Sequence, residues 1–587
     1  MNLQNVTVVA TVLLSFNGVP LETLADSPGE VSIAGVDYVV DLENCQPRSA
    51  LAKSARREKW RKISYQTESF SGTMLVAVEE SDAPDVTYKL GRTGWHEVYL
   101  GIYRKPFEAP KRVLAKMSGD PAFTILSGRP GETDHQENWI DDIYFKTMNL
   151  EGQSITLRQV RLPAVEHAWV AYIKLVPLGP ETSAAVLADR ARFDTKRLFV
   201  HCDAHLMNET GSKDEIVKYF EPLRHSDVSR IYWEAGGGDR VLFFSEIAGN
   251  YETPLHAARP VVFPRQVDRV WAQTWQAYRR NGVDPLRVAA EFSHEMGVEL
   301  HASYRVGGFV YPPPHDELYG DFFREHPDLV CRTRDGTPLP RISYAYPEVR
   351  RYVVSLFQEM ARYPIDGVCV LYNRRPPLLG YEKPLVEGFQ QLYGEDPRQL
   401  DEHDPRWLDY HGTVLTQFMR ELRTALNEAS QQADRPRRLE ISAVVCRYEE
   451  NRFHGMDLKT WVKEGLVDTI IPYSSSVRLN SYVPAWETAD QIRPFLNLVE
   501  GTNCRLAPNL MPRGLSGSGY QELAQRLYAL GIENLFFWDG LERVRKVLRL
   551  GHREEIVGRS RYPDDKIPAA MRLKKLGRWE LTTETPG

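Results

Sequence analysis

At 587 residues the chain is too long for one ordinary hydrophobic core, so two or three domains are expected, one of them large enough for a barrel. Its 73 basic and 79 acidic residues give a formal charge of -6, which offers no basic field to hold a polyanion and argues against a nucleic-acid partner. The 6 cysteines show neither paired nor clustered spacing, so no disulfide framework and no zinc motif is expected, while an aromatic share of 11% suits sugar faces as well as large cores.

Near the N-terminus, "VTVVATVLLSF" followed by "TLADS" resembles an apolar export core with a small-residue cleavage site, although no Lys or Arg precedes it. Residues 1–29 are therefore read as a segment favouring export, with a first strand of the folded domain, and a cytoplasmic protein, as the alternative. No other stretch is long and apolar enough to span a bilayer, and nothing in the pattern fixes an oligomeric state.

From about 30 to 185, short runs such as "WHEVYLGIYR", "IDDIYFKTMNL" and "WVAYIKLVPLG" alternate apolar and polar side chains between turn residues. That pattern predicts an all-β sandwich of jelly-roll type, either a structural neighbour of the next domain or a sugar binder with Trp95 and Tyr99 as platforms. After "GPETSAAVLADRARFDTK" the pattern changes to apolar strands alternating with amphipathic helices, the sign of βα units. Eight strands are expected: "RLFVHCDAH", "VSRIYWEAGG", "VELHASYRV", "IDGVCVLYN", "LEISAVVCRY", "VDTIIPYSS", "RLAPNLMP" and "ENLFFWDG". The fold class is thus α/β, a (β/α)8 TIM barrel over 190–552 behind an N-terminal β-sandwich. A doubly wound sheet is the lesser option, since no glycine-rich phosphate loop follows the first strand. Residues 553–587 have too few apolar positions for a core and are expected to pack on the barrel as a tail.

Barrels of this kind carry their chemistry at the carboxyl ends of the strands. Those ends supply His201 and Asp203, Glu234, His301, Tyr304 and Arg305, Tyr372, Asn373 and Arg374, Arg447, Glu449 and Glu450, Tyr473, Asn509, and Trp538 with Asp539; the loop after strand four adds Glu382. A salt-bridged rim or a buried core explains any one of them, but carboxylates, guanidinium groups and rings recur at one end of nearly every strand. Carboxylates and Asn or Arg side chains bind adjacent hydroxyls and rings stack on sugars, so a carbohydrate substrate is expected. Glycoside hydrolysis needs one protonated and one ionised carboxyl, drawn here from Glu234, Glu382, Glu449 and Asp539, with Glu450 in the wider pool. The expected binding residues are Asp203, Tyr304, Arg305, Tyr372, Asn373, Arg374, Arg447, Glu450, Tyr473, Asn509 and Trp538. A metal held by His201, Asp203 and His301 is conceivable, but no HExxH or tight triplet supports it, and no metal or cofactor is expected. The serine-hydrolase motif GxSxG is absent.

From about Asp284 to Asp539 the chain resembles the family 10 glycosyl-hydrolase-like proteins, a broad group of bacterial (β/α)8 barrels. The likeness is carried by "VDPLRVAAEFSHEMGVELHASYRV", "FFREHPDLVCRTRDGTPLPRISYAYPEVRRYVVSLFQEM", "IDGVCVLYNRRPPLLGYEKP", "LTQFMRELRTAL" and "VDTIIPY", in that order. The resemblance implies an enzyme acting on carbohydrate, in bacterial glycan use. True family 10 xylanases carry an Asn-Glu pair at the end of strand four and a Glu on strand seven; this chain has "YNRRPP" and "LAPNLMP", so their mechanism does not transfer. Two other readings stand beside hydrolysis. One is a glycan-binding protein without catalysis. The other is a lyase on uronic-acid glycans, with Arg374 on the carboxylate and Tyr372, Tyr304 or His301 as base.

Overall fold

The computed structural model describes residues 29–573 except 55, 79–81, 105–110, 129–137, 161–166, 204–210, 257–260, 308–314, 316–317, 319, 374–376, 432–436, 475–485, 487, 542–543 and 557–569. The export reading of the N-terminus, and Arg374, lie outside the described residues. No helix among them is long and apolar enough to cross a membrane.

Residues 30–177 form two packed sheets. A nine-stranded sheet built around Trp95–Arg104, Trp139–Asn149 and Ala168–Pro177 faces a four-stranded sheet of Val86–Lys89, Ser154–Gln159, Arg112–Met117 and Thr124–Ser127. Alternation drives the pairing: Val98, Leu100 and Ile102 from one sheet and Val113, Ala115, Ile155 and Leu157 from the other share one core. The opposite face of the large sheet carries a second cluster of rings, Tyr38, Tyr65, Phe70, Tyr103, Trp169 and Tyr172. Trp95 and Tyr99, the two expected platforms, are engaged internally: the Arg190 guanidinium lies 5.5 Å from the Trp95 ring, and the Tyr99 hydroxyl donates to Glu97 at 2.6 Å.

The barrel strands are β1 (Leu198–Cys202), β2 (Val228–Gly237), β3 (Glu299–Arg305), β4 (Gly367–Leu371), β5 (Glu440–Val445), β6 (Thr469–Pro472), β7 (Arg505–Leu506) and β8 (Leu535–Phe537). All run parallel in that order, and β8 pairs with β1. The ring closes just past β7, where Phe536 N–H donates to Pro508 O at 3.0 Å and Leu510 N–H to Phe536 O at 2.8 Å. Helices follow the strands, several with the expected caps. Asp284 accepts from Leu286 N–H ahead of Pro285–Glu295, Ser516 accepts from Gly519 N–H ahead of Gly517–Ala529, and Gly282, at φ 64°, ends Gln266–Asn281.

The barrel interior is layered. At the amino end Arg230 is fully buried and pairs with Glu299 at 2.5 Å and Glu440 at 2.7 Å, while Arg505 also grips Glu440. Above it Tyr232 lies 3.0 Å from Ser442, beside His301, Phe199 and Phe536. A buried cation held by two carboxylates plugs this end of the barrel interior.

The sandwich and the barrel meet through an ion pair. Arg158 of the small sheet binds Asp85 at 2.8 Å and reaches Asp214 of the barrel at 3.0 Å. The tail expected on the barrel divides. Arg553–Ile556 stays there, burying Ile556 and receiving Gln525 Nε2 on its carbonyl at 2.7 Å. Ala570–Arg572 instead adds an antiparallel strand to Trp139–Asn149 of the sandwich. A sheet edge binds through backbone N–H and C=O groups, so a segment with few apolar side chains can dock on it where a barrel core would not take it.

Candidate active site

Strand alternation sends every second residue of β1 and β2 to the barrel axis, which brings His201, Asp203 and Glu234 to its carboxyl mouth. Arg305, at the end of β3, pairs with Asp203 and places its Nε 2.6 Å from Glu234 Oε1. Glu234 is only 5% exposed, and burial pushes its carboxyl up to about 8. Arg305 pulls it down and Asp203 pushes it up, but desolvation dominates. His201 Nε2 lies 3.8 Å from Glu234 Oε2, and its ring stacks on Trp538 with centroids 4.1 Å apart.

The other side of the mouth continues from Trp538. Its backbone N–H donates to the buried Asn509 Oδ1 at 3.1 Å, and Tyr473 meets its ring edge-on at 5.3 Å. Arg513 donates to the Tyr473 hydroxyl at 2.9 Å and stands 3.8 Å from Asp539 Oδ2. Asp539 holds a left-handed backbone at φ 48°, a conformation that Asp adopts more readily than most side chains. Its carboxylate and those of Asp203 and Glu234 all press on one group: after burial, these three push the Cys202 thiol well up. Asn373 follows β4, and both polar atoms of its buried amide lack a hydrogen-bond partner among the described residues.

Seven expected residues are thereby gathered: Asp203, Glu234, Arg305, Tyr473, Asn509, Trp538 and Asp539; Asn373 lies just past the end of β4. Others are placed elsewhere. Glu382 is fully buried and accepts from the backbone N–H groups of Arg332 and Gly380, each at 2.9 Å. Its carboxylate therefore ties the loop to the hairpin strands Val330–Arg332 and Pro338–Ile342 instead of returning to the mouth. Tyr304 donates to Gly238 O and packs on Phe357, and Tyr372 donates to Met419 Sδ at 3.1 Å and packs on Trp461, so both belong to the helix-facing core. Arg447 and Glu449 line a separate hollow of about 170 Å³ with Tyr448, Ser474 and Trp486, off the ends of β5 and β6. Glu450 sits by Cys446 and His454. His301 lies in the middle layer, its ring kept neutral by burial and by Arg230, and among the described residues it forms no donor group with His201 and Asp203. Arg513 was not foreseen; its only signal is a basic residue in "MPRG", just past strand seven.

A larger hollow, about 1450 Å³, opens at the amino ends of β5 to β7 between Leu458–Lys463 and Ala489–Val499. Its wall mixes Arg438, Lys459 and Arg493 with Glu464, Asp468 and Asp490, and it shares none of the mouth's groups.

In overall structure the chain is similar to the glycoside hydrolase domain of PgaB (BpsB) from Bordetella bronchiseptica, at 14% identity and a TM-score of 0.41, covering 60% of this chain and 98% of that one. It is also similar to the catalytic domain of the β-amylase from Paenibacillus polymyxa, at 12% identity and a TM-score of 0.40, covering 62% and 99%. A third similar structure is the α-galactosidase TtGalA from Thermus thermophilus, at 12% identity and a TM-score of 0.33, covering 85% and 94%. No curated protein matches. Residues 256–492, from the insertion after β2 to the helix after β6, match the family model of glycosyl hydrolase-like 10, the family that the sequence resembles.

Proposed function

We propose that the protein is a glycoside hydrolase acting on a poly- or oligosaccharide at the carboxyl mouth of the barrel. In this reading residues 190–552 form the catalytic domain and residues 30–185 a structural sandwich beside it. Glu234 is the general acid: a buried carboxyl that stays protonated near neutral pH has the proton that a departing sugar oxygen needs. Asp539 is the ionised partner, facing Arg513. Asp203 and Arg305 hold Glu234 in place, and Trp538 and Asn373 take the sugar. The observation that carries the reading is the buried Glu234 at the barrel mouth, paired with Arg305 and in contact with Asp203, in a barrel whose central span matches a glycosyl hydrolase-like family.

Glu234→Gln and Asp539→Asn test it against a polysaccharide panel and aryl glycosides. An aryl glycoside with a good leaving group needs no acid, so it should recover turnover in the Glu234 variant and not in the Asp539 variant. Wild-type turnover in both variants would refute the assignment. Saturable glycan binding by the wild type with no reducing ends released would establish the non-catalytic reading. The lyase reading loses two of its bases, since Tyr304 and Tyr372 point into the helix layer.

A further inference from the structure

Three different metal-binding side chains meet at the end of β5. Cys446 directly follows the strand, Glu450 lies in the helix Tyr448–Phe453, and His454 caps that helix. Their spacing of four residues puts Glu450 and His454 on one helix face, directed at the residue where the strand ends. The Cys446 sulfur, a Glu450 oxygen and a His454 ring nitrogen all lie within 4.8 Å of one another.

A tetrahedral zinc ion with bonds of about 2.0–2.3 Å separates its donors by roughly 3.5 Å, so closing this trio around an ion needs a contraction of about 1 Å. The turn is already fixed: Asn451 Oδ1 accepts from Cys446 N–H at 2.9 Å, and its amide donates to Arg447 O at 2.9 Å. Cys446 is buried while Glu450 and His454 are half-buried, which leaves an approach from solvent on the carboxylate and imidazole side.

We infer that Cys446, Glu450 and His454 form a binding site for one divalent zinc-class cation. A sulfur with an imidazole and a carboxylate selects a borderline-soft ion over Mg²⁺ or Ca²⁺, which prefer oxygen alone. On binding, the Cys446 S–H bond breaks, its proton leaves to solvent, and the sulfur lone pair goes to the ion. Imidazole and carboxylate each donate a lone pair, and no electron is transferred. The ion ties the end of β5 to the helix that carries Tyr448 and Glu449, and so stiffens one wall of the smaller hollow beside the mouth.

The test uses the full chain, stripped with a chelator and titrated with zinc chloride in equilibrium dialysis. A parallel cobalt(II) titration reports sulfur ligation through its charge-transfer absorption. One zinc per chain is expected, with Glu450→Gln and His454→Ala each weakening it at least about tenfold, the scale on which supporting groups of metal sites act. The cobalt–sulfur absorption should vanish in Cys446→Ser. Should that variant fail to fold, the two helix variants decide the question. Failure of the wild type to retain zinc, or unchanged affinity in both helix variants, overturns the inference.

Discussion

Glu234→Gln removes a titrating proton from the barrel mouth while keeping the shape of the side chain. Burial lifts this carboxyl from its ordinary 4.5 to about 8, so between those values the folded chain keeps a proton that the unfolded chain has released. A raised acid therefore contributes its full stability below about pH 4.5, and the contribution is lost as pH rises to about 8. A shift of about 3.5 units at 1.36 kcal/mol per unit sets the loss at no more than about 5 kcal/mol. Gln, which resembles the protonated acid at every pH, should match the wild type in acid and exceed it progressively towards pH 8. Urea unfolding of both proteins at several values from about pH 5 to about pH 8 measures that difference directly, because other titrating groups cancel between them. With Glu234 as the proposed general acid, wild-type turnover should decline as pH rises past about 8. A stability difference that does not change with pH would refute the buried-acid argument, whatever the activity shows.

Arg305→Met removes the group that lowers the Glu234 carboxyl, so the alkaline limb of kcat/KM should move to higher pH; an unmoved limb would detach Arg305 from the acid. The same change removes the guanidinium that pairs with the buried Asp203 and should cost about 3–5 kcal/mol by denaturant unfolding. Glu382→Gln weakens its bonds to Arg332 and Gly380 N–H and should cost about 1–3 kcal/mol while leaving kcat unchanged. Lost turnover at full stability would return Glu382 to catalysis. Arg230→Met removes the guanidinium shared by Glu299 and Glu440 at the closed end, but both carboxylates reach solvent and Arg505 still holds Glu440, so it should destabilise by about 1–3 kcal/mol without altering KM, as read by unfolding and steady-state kinetics.

All eight barrel strands were readable from the sequence because strands covered on both faces must be nearly continuous apolar runs, and helices between them carry their own caps. Which polar residues reach the barrel mouth is readable where alternation can be followed. Arg230, Tyr232 and Glu234 share the axial side of β2, and the same parity on β3 and β4 turns Tyr304 and Tyr372 outward, beside Leu300 and Val370. Counting from the strand interior, instead of collecting every polar residue near its end, separates those tyrosines from the mouth. Beyond the last strand residue that rule stops. Glu382 turns back to cap backbone amides, Asp539 enters a left-handed turn, and Arg513 arrives from a loop; each depends on backbone angles that no periodicity encodes. The Cys446, Glu450 and His454 set matches no paired-cysteine or HExxH spacing; its four-residue steps are those of one helix face.

Ala570–Arg572 closes the edge of a sheet whose own strand, Trp139–Asn149, leaves the ribosome about four hundred residues earlier. At typical elongation rates of 5–20 residues per second, that edge stays open for roughly 20–80 s while the whole barrel is being made. Ala570–Arg572 thus acts as a clasp reaching back past the entire barrel. A nascent or C-terminally shortened chain would show a bare β-edge to its neighbours, so prematurely ended chains should associate with one another even with the barrel intact.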